Sequence, residues 1–354
     1  MKIAEVAPLF ESVPPKKYGG TERVVSFLTE ELVRRGHDVT LFASGESITS
    51  ANLVECSPHA LRNDTVSMEP VAWHMIQTER VAYLAEEFDI IHFHTDFLHF
   101  PVSSRLRTPH VTTLHGRLDL PELPMVFATY PDVPLISISD AQRTPLPNAN
   151  WRTTVYHGLP DRYIQPNNGD GRHLLFLGRV APEKGTDRAI QIAIKSERPL
   201  IIAAKIDRAD REYFEQKIIP LLNHPLINFI GEVSDAEKCA LFKDAIALLF
   251  PIDWPEPFGL VMIEAMASGV PVVAFPGGSV REIIEDGRTG FIVNNIPEAV
   301  AAVHSLYSIS RSDCCRAVSE RFSVERMAAA YLVEFERILN DETGTPADLQ
   351  LREV

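Results

Sequence analysis

Cysteine is scarce: Cys56, Cys239, Cys314 and Cys315 are the only four in 354 residues, with neither a CxxC pair nor the spacing of a disulfide framework. A reducing compartment, the cytoplasm, is the expectation. Long apolar runs are also missing, since no stretch of about 18 uninterrupted apolar residues occurs. The opening MKIAEVAPLFES carries Glu5 and Glu11 where a secretory leader needs an apolar segment. Neither secretion nor a membrane span is expected, although peripheral contact with a membrane is not excluded. Positive charge is in deficit: 34 Lys and Arg face 48 Asp and Glu, a formal net charge of −14, and both halves of the chain are acidic. That argues against a general binder of nucleic acid or of anionic lipid. No G-x-G-x-x-G follows the first apolar run, so a dinucleotide fingerprint is absent. No Asp-x-Asp pair is available to hold a divalent cation on a diphosphate.

What is present is a composition able to bury a core, with 45% hydrophobic and 23% charged residues. The length suits two domains of roughly 150 to 180 residues each. Short β-rich runs at 3–6, 39–44, 89–94, 110–115, 134–139 and 153–158 alternate with helix-length segments. The first such segment begins near Thr21 and closes at Arg34, Arg35 and Gly36, a cationic last turn followed by glycine. After the polar, turn-rich DRYIQPNNGDGR (161–172) the alternation restarts at 173–179, 199–204, 226–231, 245–250, 270–275 and 290–293. The fold class is α/β, with two doubly wound parallel sheets. The expected division is 1–160, then 161–323, with a helix from Val324 to Leu339 and a flexible tail over 341–354.

Several segments could carry chemistry. YGGTE (18–22) puts Gly19 and Gly20 ahead of the first helix, where backbone amides and the helix dipole suit a diphosphate; a tight turn needing positive φ would account for them as well. Arg179 and Lys184 follow a strand end in FLGRVAPEKGT, two cations fit for a pyrophosphate or, alternatively, a solvated loop with an Arg179–Glu183 pair. PIDWPEPFGLVMIEAMASGVP (251–271) runs through Gly259 into an apolar helix. Glu256 lies just before this helix. Glu264 lies within it, where a carboxylate is costly to bury without a partner such as a ribose diol, unless the position is exposed. The amides at Phe258, Gly259 and Leu260 are free to bind phosphate.

In HFHTD (92–96), His92, His94 and Asp96 alternate along a strand end, with His99 nearby. They form a conceivable metal site, but hydrogen-bonded core histidines explain them too. His115 in TLHG (113–116) ends another strand beside glycine and is better placed for substrate, although as a lone histidine a purely structural role accounts for it equally well.

Together GGTE (19–22), TLHG (113–116), FLGRVAPEKG (176–185), EPFGLVMIEAMASGVPVV (256–273) and PGGSVREIIEDGRTGFIV (276–293) resemble the retaining GT-B glycosyltransferases of family four. The pair Glu256 and Glu264 is the specific part of this resemblance, which covers nearly the whole chain. It implies two Rossmann-like domains facing a central cleft, the second holding a nucleotide-sugar donor, the first a hydroxyl acceptor, and the final helix crossing back onto the first. By position, Gly19 and Gly20 would meet the donor diphosphate, and Arg179 and Lys184 would neutralise it. Phe258, Gly259 and Leu260 would complete the cradle, Glu256 would hold sugar hydroxyls, Glu264 the ribose, and His115 would lie beside the sugar. No metal or other cofactor is expected, because two cations and a helix terminus can stabilise the departing phosphate. A UDP-sugar is favoured, then GDP-mannose. A sugar-nucleotide 2-epimerase of the same fold and a non-catalytic binding protein are the alternatives, and a nicotinamide-dependent dehydrogenase is weaker for want of the glycine fingerprint.

Overall fold

The computed structural model describes residues 1–63, 69–165, 169 and 171–343. The first half forms β1 (Lys2–Val6), β2 (Asp38–Ser44), β3 (Asn52–Ser57), β4 (Ile90–Phe93), β5 (His110–Thr113), β6 (Leu135–Ser137) and β7 (Trp151–Thr154), all but β3 arising from the apolar runs of the sequence. The second forms β8 (His173–Arg179), β9 (Leu200–Lys205), β10 (Ile227–Phe229), β11 (Ala245–Phe250), β12 (Val272–Ala274) and β13 (Gly290–Ile292). Their orders are β3-β2-β1-β4-β5-β6-β7 and β10-β9-β8-β11-β12-β13. Every pairing is parallel. Helices flank both sheets, as buried strands such as Ile3, Ala4 and Val6 of β1 require.

In each sheet the chain winds outward from its first strand and then returns to the other side, so the order reverses between β1 and β4 and again between β8 and β11. Open parallel sheets bind ligands outside the carboxyl ends at such reversals. The loops leaving those four strands hold nearly every candidate site residue.

Three elements differ from the sequence expectation. The strand expected over 153–158 lies earlier, as β7 over Trp151–Thr154. Strand β3 is not anticipated: it is an edge strand whose first residues are exposed, so NLVECS lacks the continuous apolar run of a central strand. The last helix spans Val324–Thr343, so residues 341–343 belong to it rather than to a tail; residues 344–354 lie outside the described residues. Of the proposed linker, 166–168 and 170 also lie outside them.

That last helix returns to the first sheet. The Leu159 N–H donates to Phe322 O at 2.8 Å, and the Val324 N–H donates back to Leu159 O at 3.0 Å. Tyr331 and Phe335, both fully buried, then pack on His92 of β4 with ring centroids 4.8 and 5.3 Å away. Arg152 Nε of β7 donates to Glu334 Oε1 at 2.9 Å.

Candidate functional site

Two glycine-started helices aim their first turns at one cleft. The helix Gly20–Arg34 has Gly19 as N-cap and Leu260–Ala267 has Gly259, and neither receives a side-chain cap. First-turn amides have no intrahelical acceptor, so each terminus offers bare N–H groups to an anion. Gly259 has φ 78°, a left-handed conformation that glycine adopts without strain. At Gly20 an added Cβ would meet nothing within 4 Å, so the backbone itself forms cavity wall. A ligand can approach it closely.

The cavity between the sheets is lined by Gly19, Gly20, Arg179, Lys184, Glu256, Gly259, Leu260 and Glu264. A contiguous cavity shares the first seven of these and adds His115, Phe258, Thr95, Asp96 and His157. Every residue proposed for the donor and the transferring sugar therefore borders one continuous space. The Phe258 ring is packed away against His157 and Phe322, leaving its backbone to serve the cleft. In the first cavity six cationic side chains (Lys17, Arg23, Arg179, Lys184, Lys205, Lys238) face four acids (Glu232, Asp235, Glu256, Glu264). Within a chain of net charge −14 this local excess of positive charge suits an anionic ligand.

The cations are held by the acids. Lys184 Nζ lies 2.6 Å from Glu256 Oε2, which also accepts the Trp254 indole N–H at 3.0 Å. Arg179 donates to Asp210 at 2.6 Å and to Glu183, and Asp207 is 4.0 Å away. Thus the Arg179–Glu183 pair and the cleft position are both real, and one does not displace the other. Glu264 is only 6% exposed, which excludes the surface reading, and its partner is Lys238, with Nζ 2.5 Å from Oε1. Asp235 gathers Lys238, Arg23 and the Tyr163 hydroxyl.

The histidines arrange differently from the sequence expectation. His92 and His94 do face one way, but toward Glu5 of β1, with Nδ1 of His92 at 3.2 Å and Nε2 of His94 at 2.8 Å from its carboxylate. Asp96 is not with them. It has φ 50° and accepts the N–H groups of His115 and Gly116, while burial pushes its carboxyl up to about 6. His99 stacks on Phe93 at 3.7 Å and bonds Ser103 and Thr112. Glu5, His92 and His94 are the described residues whose donor atoms cluster within 4.8 Å, yet each imidazole already bonds the carboxylate directly. His115 bonds His94 through Nε2 at 2.8 Å and stacks on His157 at 5.4 Å; burial, together with His94 and His157, drives its pKa well below the usual imidazole value.

Sequence reasoning missed Lys17, Arg23, Lys205 and Lys238 as cleft residues and Glu5 as the partner of the histidines. Lys205 was accessible by rule, since it ends β9 on the same side as Arg179 ends β8. Glu5 was read only as an interruption of an apolar leader, although a lone carboxylate in a central strand also demands a buried partner.

The description "Glycosyl transferases group 1" matches residues 160–316, and "Glycosyltransferase Family 4" matches residues 18–184. A phosphatidyl-myo-inositol mannosyltransferase of Mycolicibacterium smegmatis is 26% identical over 351 residues, covering 90% of this chain and 86% of its own. A crystal structure of a glycosyltransferase involved in avilamycin A biosynthesis superposes with a TM-score of 0.76 at 23% identity, covering 96% of this chain and 98% of its own. Anabaena HepE in complex with UDP-glucose does so with a TM-score of 0.69 at 21% identity, covering 98% and 100%. Among the described residues no helix is long and apolar enough to cross a membrane.

Proposed function

The chain belongs to the group 1 glycosyltransferases and has their GT-B fold, and on that premise we propose that it moves a sugar from a nucleoside-diphosphate sugar to a hydroxyl acceptor with retention and without a metal. The observation that carries the reading is the single cleft in which two uncapped helix N-termini and the cations Arg179 and Lys184 converge. As the bond from the anomeric carbon to the diphosphate breaks, negative charge grows on the leaving oxygen. Fixed cations and helix termini stabilise that charge with little reorganisation. The departing phosphate takes the acceptor proton on the same face, so no protein nucleophile is needed. Glu256 holds sugar hydroxyls, Glu264 the ribose, and His115 borders the transferring sugar. In this reading residues 161–323 form the donor domain, and residues 1–160 with the crossing helix form the acceptor side.

A UDP-sugar is the first donor to test and GDP-mannose the second. The Anabaena neighbour's UDP-glucose supports the former, and the mannosyltransferase relative keeps the latter in view. Thermal shift with UDP, GDP and ADP reads the base, because a ligand that binds the native state raises its melting temperature by mass action. Labelled sugar nucleotides, with and without acceptor sugars, then read release of nucleoside diphosphate. Failure of all three nucleotides to stabilise, with no diphosphate released from any donor, would sink the proposal.

A further inference from the structure

We propose that Glu5, acting through His94, is a positioning residue that fixes His115 as its Nε2–H tautomer and leaves the Nδ1 lone pair for the sugar in the cleft. This rests on the glycosyl-transfer reading above.

The chain of argument starts at a fully buried carboxylate. Glu5 lies in the central strand β1, opposite His92 of β4 in register, and has no exposed surface. Burial alone pushes its carboxyl up, but His92 and His94 outweigh this and hold it at about 2. Glu5 is therefore ionised and accepts only. Both imidazole nitrogens that face it must donate, Nδ1 of His92 at 3.2 Å and Nε2 of His94 at 2.8 Å.

Burial and the neighbouring His92 lower His94 to about 4, so at neutral pH it carries one ring proton. With that proton on Nε2 toward Glu5, Nδ1 of His94 is an acceptor. It lies 2.8 Å from Nε2 of His115. His115 must then donate from Nε2, and as a neutral ring it keeps a lone pair on Nδ1. That atom is buried and has no partner among the described residues. Its residue lines the cavity shared with Lys184 and Glu256. An orphaned buried acceptor is costly unless a ligand entering the neighbouring cavity satisfies it.

The chemistry favours this tautomer. Positive charge develops on the sugar ring as the bond to the leaving group breaks, and an imidazolium there would oppose it. A lone pair accepting a sugar hydroxyl hydrogen supports it, with the Glu5 charge behind. The far end of the chain is also tied down. His92 Nε2 lies 2.7 Å from Thr113 Oγ1, which is 3.1 Å from Tyr331 Oη of the crossing helix. The order of protons is thus set from one end, by a carboxylate that touches no substrate.

The test uses the full-length protein labelled with ¹⁵N-histidine. Long-range proton–nitrogen correlation separates protonated from bare ring nitrogens, and the His115→Ala spectrum identifies the His115 signals. A bare Nδ1 and a protonated Nε2 are expected; a protonated Nδ1 would overturn the proposal.

The second arm is kinetic, with Glu5→Gln made in the native and in the His115→Ala background. The amide removes the charge and puts an NH2 group, which can only donate, in place of one accepting oxygen. In the native background we expect kcat to fall about tenfold or more, with nucleoside diphosphate affinity within about twofold. In the His115→Ala background the further fall should be under about twofold, because the residue acts through His115. Equal losses in both backgrounds would mean a merely structural role and overturn it. Should Glu5→Gln fail to fold, His94→Phe in the same two backgrounds is read identically. The spectrum does not depend on turnover, so a protein that transfers from no donor would refute the function while the tautomer assignment is still decided.

Discussion

Lys184 Nζ and Glu256 Oε2 lie 2.6 Å apart and tie the loop after β8 to the loop after β11. The same ammonium stands 4.3 Å over the Trp254 ring, whose N–H shares the Glu256 oxygen. In the roles proposed above, the phosphate-binding cation and the sugar-binding carboxylate thus hold each other in place without a ligand, and such mutual preorganisation would leave a donor only to complete the set.

Arg179→Ala and Lys184→Ala should each cut transfer by on the order of a hundredfold or more while leaving the fold intact, through loss of charge stabilisation on the leaving phosphate. Their melting temperatures should differ from native for different reasons. Arg179→Ala leaves Asp210, Glu183 and Asp207 facing one another, whereas Lys184→Ala strands the buried Glu256. Turnover and thermal melts of both purified variants decide; near-native turnover in both would remove these residues from the site.

Activity should persist in excess EDTA, because the chain has no Asp-x-Asp pair and Arg179 and Lys184 both line the cleft proposed to take the diphosphate. The measurement is donor turnover with chelator, followed by addition of Mn²⁺ or Mg²⁺. Abolition with rescue would point to a metal, and Glu5, His92 and His94 would be the first residues to examine.

The sheets were legible because parallel strands buried on both faces read as nearly continuous apolar runs, as in IIHF of β4 and AIALLF of β11. Edge strand β3 was not, because half of it faces solvent and carries no such signal. Gly19, Gly259 and Arg179 were legible because they cap helices or end a strand, and Glu256 because it lies in the loop after β11, all at the reversal points where open parallel sheets bind ligands. Lys238 was not legible as the partner of Glu264: the pairing joins residues from separate helices and follows only from the three-dimensional packing. The same holds for Glu5 and His94, brought side by side by the β1–β4 pairing.

Glu256→Gln and Glu264→Gln should separate sugar from nucleoside. Glu256 borders both cavities, including the one that reaches His115, while Glu264 borders only the first. Loss of a carboxylate–hydroxyl bond costs roughly 1.5–3 kcal/mol, about ten- to hundredfold in the step affected. Glu256→Gln should lower turnover with modest change in nucleotide affinity, and Glu264→Gln should weaken nucleoside diphosphate binding. Calorimetric titration with the free diphosphate, which has a ribose but no sugar, reads the difference. The reverse pattern would redraw both roles.

Glu22, the last residue of GGTE, gives a prediction in pH. It is 4% exposed on the helix Gly20–Arg34 and lines the cavity beside His115. Burial pushes its carboxyl up to about 7, although it accepts backbone N–H bonds from Glu22 and Glu11 and feels Arg62. A raised carboxyl in the folded state keeps a proton that the unfolded chain releases near pH 4.5. The favourable contribution is therefore present below that pH and is lost as pH rises through about 7. Asp96, raised to about 6 by burial, adds a loss of the same sign to both proteins compared here. Glu22→Gln keeps a neutral group of the same shape, so its stability relative to native should grow from pH 5 to pH 8 by about 2–3 kcal/mol, several degrees in melting temperature. Thermal melts of the unliganded proteins across that range provide the measurement. A gap that stays constant or narrows toward pH 8 would mean that Glu22 is ionised throughout and that its backbone bonds outweigh its burial.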